Sequence, residues 1–307
     1  MKKFFQEIWH TLKNSVLLFT KHDTGTLAAA LSYYTLFSLA PLLIIVISVA
    51  GFILGPDAIE GEVKRQLQGF VGSQSATELQ NIIKSAYKPG ENIVMTIIAL
   101  VILVVGATTV FGQLRTSLNV IWDVKPAAKK PVAKFIVSRV FSFAMIISLA
   151  FLLLISMVIH SALQAFTNYL NNRLPDISVV LFKLVDYILS MGLTMLLFSL
   201  IYKFMSDAKL KWRSVWKGAL FTTVLFILGK YLIGLYISKS NLASTYGAAG
   251  SVIVILVWVF YSSQILFFGA EFTQALAIEK GVSLDPKATK TDKEKGIVNK
   301  EVLPKKE

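Results

Sequence analysis

The sequence predicts an all-α polytopic membrane protein: six transmembrane helices preceded by an N-terminal interfacial amphipathic helix. Three observations predict it. The 307 residues are 55% hydrophobic and 16% charged, against roughly 25% charged in soluble domains. Apolar runs of about 20 residues, long enough to cross a bilayer, recur along the chain. Lysine and arginine crowd alternate connecting segments, as cytoplasmic loops of membrane proteins do.

The first element is Lys2 to Phe19, where Phe4, Phe5, Ile8, Trp9, Leu12, Val16 and Phe19 recur at helical spacing opposite Lys3, Glu7 and Asn14. Residues 1–26 read as a helix on the inner membrane surface or as one packed on the cytoplasmic loops. The only apolar run before Lys21 and His22 is VLLF, so no cleavable signal peptide is expected.

The spans follow in order: Leu27 to Leu54, Asn92 to Phe111, Ile136 to Ala162, Val179 to Met205, Val215 to Ser238 and Tyr246 to Ala270. Together they define a transmembrane domain over residues 27–279. The outer loop at 56–91 is patterned: Ile59, Val63, Leu67 and Phe70 recur at helical intervals, as do Leu79, Ile82, Ile83 and Tyr87, predicting two short helices over the outer face. Residues 280–307 have few large apolar side chains and read as a disordered cytoplasmic tail.

Charge sets the orientation. The outer segments hold only Lys64, Arg65, Lys84, Lys88, Arg173 and Lys239, while the remaining loops and both ends of the chain carry most of the Lys and Arg. Both termini are therefore expected in the cytoplasm of a bacterial cell, the chain lying in its inner membrane. The net charge of +13 is thereby topological, and no nucleic-acid partner is expected, since no basic patch accompanies a reading module. The absence of cysteine removes thiolate chemistry and thiolate zinc sites. No cofactor or metal is expected.

Ionisable residues within spans are costly and mark a pathway, a partner or a helix end. Glu271 closes an otherwise uncharged run in SSQILFFGAEFTQALA. At 1.5 Å per residue and a core of about 30 Å, it emerges at the cytoplasmic interface, at the same depth as Arg115. Tyr261, Gln264, Phe268 and Glu271 share one helix face. Two readings stand: Glu271 and Arg115 pair across the bundle at the mouth of a polar cleft, or Glu271 is solvated and Arg115 meets lipid phosphate.

In the outer half, Lys183 and Asp186 can satisfy one another at i, i+3, and Lys230 is the most deeply placed charge. A network of Lys230 with Asp186 is expected. The polar pathway is thus Arg115, Asn119, Gln264 and Glu271 on the inner side, and Asp186 with Lys230 on the outer. Pro41 is expected to kink the first span, and Gly247 and Gly250 to let helix backbones approach.

The blocks AAALSYYTLFSLAPLLIIVIS, VFGQLRTSLNVIWDV and STYGAAGSVIVILVWVFYSSQILFFGAEF resemble those of the YihY/BrkB family. The resemblance covers Leu27 to Phe272 in order. It implies a bacterial inner-membrane protein of six spans, with no agreed biochemical activity. An older label, ribonuclease BN, attaches to the family, and BrkB denotes serum resistance in some relatives.

A nuclease needs an acid and a base together, or a metal cluster, on a wet surface. The three histidines, His10, His22 and His160, fall on two sides of the membrane in this topology. No histidine and carboxylate cluster stands at ligand spacing, so catalytic residues and an enzyme are not expected. The sequence points to a transporter or translocase of a small anionic solute or lipid, with the bilayer as its first partner. The alternative is an envelope-organising protein whose polar residues only lock helices together. Oligomeric state is not fixed by the sequence.

Overall fold

The computed structural model describes residues 2–54, 68, 76–77, 93–124, 148, 151, 155, 175–208, 210–239 and 250–279. Six long helices make up most of these residues: α1 Lys2–Lys21, α2 Thr24–Leu54, α3 Ile93–Ile121, α4 Pro175–Phe204, α5 Trp212–Lys239 and α6 Gly250–Glu279. No strand occurs among the described residues. Most of the expected loop at 56–91, the third span at 136–162 and the tail at 280–307 lie outside them.

Among the described residues, three helices contain segments long and apolar enough to cross a membrane: Tyr187–Phe204 of α4, Trp212–Ile237 of α5 and Val252–Glu279 of α6. The first two expected spans fall on α2, which has 31 residues, and α3, which has 29. The helix of α2 continues through Pro41. Proline opens α4 at Pro175, where its missing N–H costs nothing.

The arrangement centres on α6, which packs against α1, α2, α3 and α5, while α4 packs on α5 and α2 on α3. The core at the α1 end of the bundle is made by Ala28 and Leu31 of α2, Leu114, Leu118 and Ile121 of α3, Phe198 and Tyr202 of α4, and Phe267 and Ala270 of α6. Opposite this core, Leu220, Val224, Leu228, Leu232 and Leu235 form an exposed apolar stripe along α5, joined by Leu184, Val185 and Ile188 of α4. Trp212 and Trp216, also exposed, stand at the start of α5 beside Phe204. Such a stripe bounded by tryptophans is the pattern of a lipid-facing surface and its interfacial belt.

α5 and α6 approach closely at two points. A side-chain carbon at Gly218 would collide with Thr273 Oγ1, and one at Gly269 with Thr222 Oγ1. The two helices thus exchange the same glycine and threonine pair, each threonine hydroxyl also donating to the glycine carbonyl of its own helix. Tyr202 of α4 closes the contact, its hydroxyl lying 2.8 Å from Thr222 Oγ1 and donating to Leu266 O at 2.7 Å. Phe221 stacks on Phe272 at 3.9 Å between centroids.

α1 turns an unexpected face to the bundle. Thr11, Asn14, Ser15 and Leu18 are buried against the bundle, whereas Trp9 and Val16 are exposed. The polar contact is stabilised because α6 ends on Glu279, which accepts from Thr11 Oγ1 at 2.7 Å and pairs with His10 Nδ1 at 2.8 Å.

Candidate functional site

Three polar groupings appear in the described residues. The first forms where two helices end in left-handed turns. Asp23, between α1 and α2, has φ 47°, and Asp123, just after α3, has φ 51°. Aspartate tolerates this region better than most residues. Asp23 O accepts from Thr26 N and Leu27 N to start α2, and Val124 N reaches back to Asn119 O to close α3. These turns set His22 and Asp123 side by side above α6.

There, His22 Nδ1 lies 2.9 Å from Glu271 Oε1 and its Nε2 lies 3.6 Å from Asp123 Oδ2. Thr24 Oγ1 donates to Glu271 Oε1 at 3.2 Å, and Gln274 Nε2 to Asp123 Oδ2 at 3.1 Å. Glu271 is 0% exposed, while the Asp123 side chain is 45% exposed. Three buried atoms of this network make no hydrogen bond among the described residues: His22 Nε2, Glu271 Oε2 and Gln274 Oε1.

Burial disfavours the charged imidazole of His22, but the close approach of Asp123 and the hydrogen bond and charge of Glu271 reverse this and carry its pKa from 6.5 to about 9. Burial likewise opposes ionisation of Asp123, and the close approach and charge of His22, the charge of Lys21 and the hydrogen bond from Gln274 together hold it below the ordinary value. A cationic ring between two carboxylates is the result.

The second grouping joins α3 to the segment after α4. Arg115 Nη2 donates to Asp207 Oδ1, and Asn119 Nδ2 to Asp207 Oδ2 at 3.0 Å. Asn119 Oδ1 in turn accepts from Asp207 N at 2.9 Å. One aspartate therefore holds two of the expected pathway residues.

The third is a cleft of 480 Å³ between α4 and α5, lined by Tyr187, Ser190 and Thr194 on one side and Phe226, Lys230 and Tyr231 on the other. Lys230 is 18 residues beyond Trp212 in α5, about 27 Å along the axis. The cleft borders the exposed apolar stripe described above.

These positions divide the expected pathway. Glu271 meets neither Arg115 nor water, as the sequence allowed; it is buried against His22. Physically, the α1–α2 turn brings an imidazole to the carboxylate, while Arg115 points to Asp207. Gln264 is half-buried, two turns before Glu271 on α6. Gly250 is buried at the start of α6. Gly247 and the side chains of Pro41, Lys183 and Asp186 lie outside the described residues, and with Asp186 the network expected for Lys230.

Sequence reading missed His22, Asp123 and Asp207. It found no histidine–carboxylate cluster because His22 and Glu271 are 249 residues apart. A signal did exist: Asp123 and Asp207 are isolated acids in otherwise basic inner segments. No group of three His, Asp or Glu able to hold a metal ion occurs among the described residues.

Comparison with known proteins adds a family. A model of the virulence factor BrkB family matches residues 16–294. A UPF0761 membrane protein of Pseudoalteromonas translucida is 27% identical over 82% of this chain and 81% of its own. A UPF0761 membrane protein of Alteromonas mediterranea is 26% identical over 90% and 92%. The ribonuclease-like protein YfkH of Bacillus subtilis is 23% identical over 86% and 94%. No solved structure matches.

Proposed function

This chain belongs to the virulence factor BrkB family of membrane proteins, and we propose that it moves an anionic lipid, entering from the bilayer, through the cleft between α4 and α5. The observation that carries this reading is Lys230 at a cleft whose other walls mix hydroxyls with apolar side chains. A cation there suits a phosphate headgroup, and Phe226 and the neighbouring apolar surface suit acyl chains. The exposed stripe of Leu228, Leu232 and Leu235 beside the cleft favours a ligand arriving from lipid over one arriving from water. In this reading the termini are cytoplasmic, the membrane is the inner one, and α1 lies at its surface with Trp9 and Val16 toward the acyl chains.

The test is flux of a fluorescent anionic phospholipid across vesicles containing the full chain. Lys230→Met is expected to slow it at least roughly tenfold, the order of one desolvated ionic contact, with unchanged membrane abundance, and Lys230→Arg to retain it. A neutral phospholipid and a soluble organic phosphate serve as controls. Flux of Lys230→Met equal to that of the unaltered chain would defeat the reading.

A second reading, a packing role without transport, is favoured by one observation: Arg115, Asn119 and Asp207 satisfy one another. It predicts that any variant that loses function loses abundance in proportion. The chain is read as a non-enzyme, and the ribonuclease-like name stays with the Bacillus relative. Turnover of RNA by the purified chain, abolished by an Asp123→Asn change, would reverse that.

A further inference from the structure

The grouping of Asp123, His22 and Glu271 is not used by the lipid cleft. Its members come from the turn before α2, the turn just after α3 and the last third of α6. They are graded in exposure: the Asp123 side chain is 45% exposed, that of His22 6% and that of Glu271 0%. The two ring nitrogens of His22 face the two acids separately, Nε2 toward Asp123 and Nδ1 toward Glu271. Glu271 Oε2 is buried without a hydrogen bond among the described residues. A buried carboxylate with an unsatisfied oxygen is expensive in its charged form and is relieved by taking a proton.

We propose that Asp123, His22 and Glu271 form a proton relay that loads the buried Glu271 from the water at the α1 side of the membrane. The relay starts from the neutral ring with its proton on Nδ1, the form that prevails above about pH 9. The O–H bond of an Asp123 protonated from water breaks as Nε2–H forms, giving the imidazolium. The Nδ1–H bond then breaks as Glu271 Oε1–H forms, leaving an Nε2–H imidazole and a neutral Glu271. One proton leaves water, one arrives on Glu271, and the ring's own proton has passed from Nδ1 to Nε2.

The charged groups facing this path are few. Lys21 acts on Asp123 from α1, and Asp23 is the other acid of the turn. From α5, this part of α6 is met by Gly218, Phe221 and Thr222, all uncharged. The relay stands on its own geometry; its coupling to lipid movement rests on the function proposed above.

The experiment is time-resolved infrared spectroscopy of the full chain in lipid nanodiscs after a step to lower pH from above pH 9, where the ring is neutral. A protonated-carboxyl band is expected that is missing in Glu271→Gln. In Asp123→Asn and His22→Gln the band should rise slower by roughly tenfold or more, the usual contribution of a positioned proton carrier. A band that persists in Glu271→Gln, or that rises at the unaltered rate in Asp123→Asn, overturns the relay. Should Glu271→Gln not accumulate, Glu271→Asp is measured, and an unshifted band overturns it equally. Lipid flux with and without a pH gradient is read separately. A relay that works while flux ignores the gradient keeps the proton site and discards the coupling.

Discussion

At the residue scale, the polar contacts that join the site run between residues distant in sequence. Trp122 is 2% exposed and its Nε1 donates to Ala270 O at 3.0 Å, one residue before Glu271. Trp122→Phe removes this bond and leaves a void where the larger indole packed. It should destabilise the chain by about 2–3 kcal/mol, checked by denaturant unfolding in micelles. The helix that carries Glu271 was legible in the sequence because apolar length and helical spacing are local properties. Its partner was not, because His22 reaches it only through a left-handed turn whose position depends on α1 lying against α6. Asp207 was illegible for a similar reason. It sits outside any helix, and only the closure of the segment after α4 brings it to Arg115 and Asn119.

At the scale of elements, the existence and approximate bounds of α2 to α6 followed from apolar length, whereas contact faces did not. α1 shows this most clearly. Its apolar spacing left open whether it lies on the membrane or packs on the loops, and the face the bundle takes is Thr11, Asn14, Ser15 and Leu18, where the end of α6 offers a carboxylate that hydroxyl groups can reach. The α5–α6 contact did have a signal. Gly218 with Thr222, and Gly269 with Thr273, repeat a glycine and threonine four residues apart on both helices, a spacing that places small residues on one face. The reading instead picked Gly247 and Gly250, where small residues cluster. Gly269→Ala should destabilise by about 1–3 kcal/mol, the cost of overpacking. Adding Thr222→Ala to it should restore part of that loss, giving a non-additive double-mutant cycle.

At the scale of the whole molecule, the His22 grouping links stability to pH. Its pKa is raised from 6.5 to about 9 in the folded chain, so its contribution is complete below pH 6.5 and is lost as pH rises through 9. Asp123 acts oppositely: its folded pKa is depressed, and its contribution is lost only as pH falls below the carboxylate range. The thermal midpoint of the full chain should therefore decline between pH 6.5 and 9. The decline reflects at most about 3 kcal/mol, reduced by solvent around Asp123. His22→Gln should flatten that part of the profile, and a flat profile in the unaltered chain would contradict the ion pairing described here.

The central position of α6 also constrains biosynthesis. It is the last described helix in the chain, yet it supplies Glu271 to His22, the carbonyl of Ala270 to Trp122 and Glu279 to Thr11. Ribosomes deliver these acceptors after every donor has already been made. Until then the earlier helices are an open half-shell with unmet polar groups. A nascent chain halted before residue 250 would display them, giving membrane quality-control proteases a mark that the finished protein conceals.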